Sequence, residues 1–101
     1  MTQITAQELK EILKSQADIH LLDVRNEDER AICSIGGVHI PLAAIQNFQT
    51  DAIDDWADEP IYVYCRSGNR SVQAIAFLEQ AGFKNLINIQ GGINAYNELV
   101  D

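Results

Sequence analysis

Basic residues are scarce in this sequence. Seven Lys and Arg stand against 15 Asp and Glu, a formal net charge of −8 with a pI near 4.5. A surface of that sign repels phosphate lattices, which argues against nucleic acid or an anionic membrane as partner. Long apolar runs are also missing: no stretch approaches the roughly 20 residues of a bilayer-spanning helix. The N-terminus lacks a basic start followed by an apolar stretch, so no signal peptide is expected. The expected compartment is the cytoplasm, although a periplasmic chain with its leader removed would read the same way. Two cysteines, at positions 33 and 65, are too few for a disulfide scaffold, and two free thiols are expected. What remains is 101 residues, 47% hydrophobic and 22% charged, the composition of one globular domain over residues 1–101. A chain of this size buries enough surface for one core without staples.

Two kinds of apolar segment alternate along the chain. Short runs rich in β-branched residues predict buried strands at Ile19–Val24, Ile61–Tyr64 and Leu86–Ile89, with a shorter one at Val38–Ile40. Helical patterns lie between them. Thr5 and Glu8 form a capping box, and Ile4 with Leu9 fits the hydrophobic staple. Leu9, Ile12 and Leu13 then mark one apolar face. Leu42, Ile45 and Phe48 predict a short helix, and Ile53, Trp56 and Ala57 another. Val72, Ile75, Ala76 and Leu78 mark a longer one, ended by Gly82 with Phe83 behind it. Ile93, Tyr96 and Leu99 mark the last. Strands alternating with helices predict an α/β fold, a parallel sheet with helices on both faces. In such sheets the working residues sit beyond the carboxyl ends of the strands.

One segment meets that rule. The strand ending at Tyr64 runs directly into Cys65-Arg66-Ser67-Gly68-Asn69-Arg70-Ser71, and a helix follows. Successive backbone N–H groups in such a loop point at its centre, at a helix N-terminus. A thiol placed there is held as thiolate by the amides, the helix dipole and Arg66 or Arg70. A buried core cysteine is the plainer reading, but small, polar and cationic residues are a poor continuation of a core. Loop size narrows the chemistry. The spacing from Cys65 to Arg70 is Cys-x4-Arg, one residue shorter than the Cys-x5-Arg ring that surrounds a phosphoryl group. The tighter ring suits a single extra sulfur atom on the cysteine.

On these residues the sequence resembles the rhodanese family of single-domain sulfurtransferases over nearly the whole chain. Cys65 to Arg70 is similar to that family's six-residue active-site loop. Leu22-Asp23-Val24-Arg25 with Glu29 resembles its early Asp-Val-Arg signature and following acid. Ile40-Pro41-Leu42 matches the segment after the third strand. Gly91-Gly92-Ile93-Asn94-Ala95-Tyr96 resembles the closing signature, with Tyr96 in place of the usual Trp. Where the family commonly has His-Ile-Pro-Gly-Ala, this chain has Ser34-Ile35-Gly36-Gly37, which predicts a looser or differently shaped turn.

The resemblance implies a five-stranded parallel sheet with helices on both faces and double-displacement catalysis without a cofactor. Cys65 attacks a sulfane sulfur, carries it as a persulfide, and passes it to a thiol or cyanide. The amides of Arg66, Ser67, Gly68, Asn69, Arg70 and Ser71 hold the persulfide anion. Arg66 faces the entrance and attracts a small anionic donor, whereas Arg70 braces the loop or the helix start. Asp23, Arg25 and Glu29 are expected as an internal ion pair or turn anchor near the site. Cys33 is expected as a small packed residue. His20 and His39 are isolated from each other and from the cysteines, so no metal site is expected. Asp51, Asp54, Asp55, Asp58 and Glu59 are expected on a solvated face, or alternatively as a docking patch for a basic partner. Beside the free enzyme stands a second reading, a sulfur carrier or docking module with a protein as donor or acceptor. A small phosphatase or arsenate reductase is a third, disfavoured by the short loop.

Overall fold

A computed structural model describes residues 2–15 and 18–99. Eleven elements follow in order: β1 (Thr2–Thr5), α1 (Ala6–Ser15), β2 (His20–Asp23), α2 (Glu27–Ile32), β3 (Val38–His39) and α3 (Leu42–Gln46). They continue with a 3-10 helix (Asp51–Trp56), β4 (Pro60–Tyr64), α4 (Asn69–Gln80), β5 (Asn85–Gln90) and α5 (Gly92–Asn97). The strands form one parallel sheet in the order β1-β5-β4-β2-β3. The fold is α/β, a five-stranded parallel sheet with helices on both faces.

Alternation along the central strands splits the core in two. Leu22, Ile61, Val63, Cys65 and Leu86 face one side, where they pack with Ile45, Ile53, Ala74, Ile75 and Leu78 of α3, the 3-10 helix and α4. Leu21, Tyr64 and Ile89 face the other, against Ala6 and Leu9 of α1 and Ile93 of α5. Each fully buried aliphatic side chain contributes about 1.5–3 kcal/mol, so these two layers position the strand ends that carry the site. No helix among the described residues is long and apolar enough to cross a membrane.

Local signals act where expected at two helix ends. The Thr5 N–H donates to Glu8 Oε1, and the Glu8 N–H to Thr5 Oγ1, both at 3.1 Å. After α4, Gly82 turns left-handed at φ 101°, and Phe83, buried, sends its N–H back to the Leu78 carbonyl. Other elements differ from the sequence reading. β1 is an edge strand whose only aliphatic is Ile4, and α2 buries no residue, so neither shows an apolar stripe. α3 stops at Gln46, and Phe48 adopts a left-handed φ of 56° with half its surface exposed. The inner face of α4 is Ser71, Ala74, Ile75 and Leu78, which leaves Val72 and Ala76 outside. Asp51, Asp54, Asp55, Asp58 and Glu59 are all exposed. Lys84 pairs with Asp58, and Glu59 with His20.

The turn before β3 is not loose. Gly36 and Gly37 both have positive φ, and their carbonyls accept from Arg30 at 3.3 and 2.8 Å. Tyr64 Oη donates to the Gly36 carbonyl at 2.9 Å, and the Gly36 N–H donates to Ser34 Oγ. Side-chain donors replace the stiffness that a proline would have supplied.

Candidate active site

Cys65 leaves the carboxyl end of β4, the centre of the sheet, and its side chain is fully buried beneath its own loop. Two glycines make the loop possible. Gly68, at φ 105°, precedes α4 and turns its N–H onto Cys65 Sγ at 3.0 Å. Gly92 lies against the outside of the loop, where a Cβ would collide with the Cys65 carbonyl oxygen and come within 2.8 Å of the Arg66 carbonyl. That contact lets the start of α5 hold the loop. The Ile93 N–H donates to the Cys65 carbonyl at 2.8 Å and the Asn94 N–H to the Arg66 carbonyl at 3.1 Å. With carbonyls turned outward onto α5, loop amides are free to face the sulfur.

Burial alone would push the Cys65 thiol up. The Ser71 hydroxyl, 3.5 Å from Sγ, and the N–H groups of Ser71, Gly68 and Ser67 outweigh burial and hold the thiol below its ordinary value. Arg66, Ser67 and Asn69 are exposed around the ring, while Gly68 and Ser71 are buried.

Arg70 points away from the sulfur to a carboxylate. Its two terminal nitrogens reach Glu29 Oε1 and Oε2 at 2.5 and 2.7 Å, which ties α4 to α2. The Arg70 guanidinium holds the Glu29 carboxyl down at about 2. Asp23 and Arg25 form a separate buried pair: Arg25 Nε and Nη2 reach the Asp23 carboxylate at 2.9 and 2.8 Å. Arg30 adds a third contact to Asp23 at 3.2 Å. The expected anchor of Asp23, Arg25 and Glu29 is thus divided, because Arg25 touches only the Glu29 backbone carbonyl while the Glu29 side chain goes to Arg70.

The sign of the Glu29 shift gives a pH prediction. A carboxyl near 2 when folded and at about 4.3 when unfolded adds stability above the higher value. That contribution fades as pH falls toward about 2. Glu29→Gln should therefore flatten the acid-side decline in urea stability between those values. The slope should shrink without vanishing, since Asp23 is lowered as well. Identical slopes in wild type and variant would refute the assignment.

Cys33 is exposed, not packed. It ends α2, and its Sγ lies 4.0 Å from Arg25 Nη1 and from Asn97 Nδ2. It lines a cleft of about 340 Å³ with Arg25, Glu29, Arg66, Asn94 and Asn97. This cleft places Arg66 at the outside of the loop. Two side chains behind the thiol escaped the sequence reading. Asn88 on β5 is buried against Ser71, and Gln3 on β1 meets Asn88. The signal for Asn88 was a lone amide residue inside the apolar run Leu86–Ile89, and Gln3 carried none.

Fold and loop together define a class: a parallel α/β domain carrying a cysteine in an amide-lined ring at the central strand end. Comparison with known proteins makes this specific. Residues 5–99 match the family model for the rhodanese-like domain. A sulfurtransferase of Allochromatium vinosum is 32% identical over 95% of this chain and 88% of its own length. A putative sulfur carrier protein, YrkF of Bacillus subtilis, is 32% identical over 90% of this chain and 48% of its own length. A rhodanese-like domain protein of Staphylococcus aureus superposes with a TM-score of 0.82 at 29% identity, over 95% of this chain and 91% of that one. The chain spans about a quarter of the length of several longer curated relatives. The chain belongs to the rhodanese-like family of sulfurtransferases and sulfur carriers.

Proposed function

We propose that this chain, a single domain over residues 1–101, is a thiosulfate-type sulfurtransferase working through a persulfide on Cys65. The observation that carries this reading is the ring of N–H donors from Ser67, Gly68 and Ser71 around a buried, acidified thiol. The Cys65 thiolate attacks the sulfane sulfur of the donor. The donor S–S bond breaks, and sulfite leaves with its electron pair. Cys65 then bears an outer sulfur, anionic at neutral pH, which the ring stabilises as an oxyanion hole stabilises oxygen. A thiol or cyanide attacks that outer sulfur and returns Cys65 as thiolate. The lowered thiol favours the thiolate nucleophile, so the reading assigns no separate base. Arg66, exposed at the cleft beside the loop, draws the anionic donor in. Asn69 and Arg70 begin α4 at the end of the ring, Glu29 braces Arg70, and Asp23 with Arg25 forms the buried pair beside the site.

Intact mass tests this directly. Protein treated with thiosulfate and desalted should be one sulfur atom heavier, with the extra mass on the Cys65 peptide, and cyanide should remove it. A second reading, a protein-to-protein sulfur relay, is supported by the likeness to a putative sulfur carrier. It displaces the first if thiosulfate leaves the mass unchanged while a persulfidated protein donor loads Cys65. Failure of both donors on folded protein would sink sulfur transfer altogether.

A further inference from the structure

Behind the thiol runs a line of buried polar groups with too few protons for its acceptors. Ser71, fully buried, has one hydroxyl proton. The Gly68 carbonyl at 3.0 Å and Asn88 Oδ1 accept it, and Cys65 Sγ at 3.5 Å, a donor to Ser71 Oγ as a thiol, joins the competition as a thiolate. Asn88, 2% exposed, is flanked in the sheet by Gln3 on β1 and Val63 on β4. The far end of its carboxamide meets the Gln3 side chain at 2.8 Å.

The two ends of a carboxamide are nearly the same size, so two proton arrangements fit the same atoms. In the structure Asn88 Oδ1 faces Ser71 and takes the hydroxyl proton, while Nδ2 donates to Gln3 Oε1. Ser71 Oγ then turns a lone pair to the sulfur, which is unfavourable when Cys65 is a thiolate. With Nδ2 toward Ser71, the amide donates to Oγ, and the hydroxyl proton is left to the Gly68 carbonyl and the sulfur, of which a thiolate is the stronger acceptor. Gln3 is exposed and can rotate its own amide to donate to Asn88 Oδ1.

We propose that Asn88 is a positioning residue: when Cys65 is a thiolate, its carboxamide turns over to accept from Gln3 and donate to Ser71, so that the Ser71 proton goes to the charged Cys65 Sγ in preference to the neutral Gly68 carbonyl. Its use in sulfur transfer rests on the function proposed above, but the hydrogen-bond relay itself does not. The line joins β1, β5, α4 and the loop, and it is independent of the α5 contacts that hold the loop from outside.

The test is iodoacetamide alkylation of Cys65 across pH, read on the Cys65 peptide so that Cys33 does not interfere. Ser71→Ala and Asn88→Leu should each raise the alkylation midpoint by about one unit, about tenfold less thiolate below both midpoints. Ser71→Thr should keep the wild-type midpoint. The double variant should rise no further than either single one, because both break the same chain. In Asn88→Leu, thiosulfate loading should recover as pH is raised, whereas mere structural damage would not be repaired by pH. An unchanged or lowered midpoint in Asn88→Leu overturns the proposal, since removing an amide that held the Ser71 proton would release it to the sulfur. Should Asn88→Leu fail to fold, Gln3→Glu at the exposed edge serves instead. A carboxylate there only accepts, which forces Nδ2 toward β1 and Oδ1 toward Ser71. Its midpoint should rise and stay raised in high salt, which screens an exposed charge; a wild-type midpoint in high salt overturns the proposal. If the midpoints shift as stated but no donor loads wild-type Cys65, the relay stands and the sulfurtransferase reading falls.

Discussion

Cys65→Ser should lower sulfur transfer by about a thousandfold or more, whereas Cys33→Ser should keep most of it. The contrast follows from where each sulfur sits. Cys65 Sγ receives the Gly68 N–H at 3.0 Å, with Ser67 and Ser71 contributing further donors. A serine hydroxyl fits the same space, so folding should survive. A hydroxyl does not ionise at neutral pH, however, and cannot carry a transferable sulfur. Cys33 lies exposed at the end of α2, and its Sγ receives longer contacts from Arg25 and Asn97, both at 4.0 Å. Steady-state rates with thiosulfate and cyanide, alongside circular dichroism, check both variants. Equal and complete loss from the two, with folding intact, would point to a two-thiol redox cycle and defeat the single-cysteine mechanism.

The loop was legible in the sequence because its chemistry is contiguous: a strand, then Cys65, small residues and Arg70, then a helix. The parallel sheet was legible because its inner strands are buried on both faces and read as apolar runs. Elements without a buried stripe were not. α2 buries nothing, and β1 contributes only Ile4, so hydrophobic periodicity had nothing to detect in either. Ion-pair partners are a matter of distance in space. Glu29 lies 41 residues from Arg70 and four from Arg25, yet it spends its carboxylate on the distant one. Cys33 read as packed because Ile32 precedes it, but Ile32 is itself 83% exposed at the end of a helix with no inner face. Asn88 was visible only as a polar break in a strand. Its meaning depends on Ser71 and Gln3, which the fold alone brings beside it.

Asp23→Asn should cost about 3–5 kcal/mol of unfolding free energy. Both members of the Asp23–Arg25 pair are buried, at 0% and 2% exposure, so solvent screens neither charge. Burial would raise the Asp23 carboxyl, but hydrogen bonds and charge from Arg25, with Arg30, hold it below its usual value. The amide keeps the shape and removes the charge, which leaves Arg25 as an uncompensated cation under the sheet end. Arg25 also holds the Cys33 carbonyl at 2.7 Å and lies 5.5 Å from the Tyr64 ring centre, so it cannot swing out to water without releasing the end of α2. Against the roughly 5–15 kcal/mol that stabilises a domain, the loss is large, and a urea titration should show a clearly lower midpoint. The pair is expected to be strongly non-additive. Asp23→Leu combined with Arg25→Met removes both buried charges and should destabilise by less than Asp23→Asn alone. A double variant as unstable as the sum of its single changes would mean that the two side chains act through separate contacts.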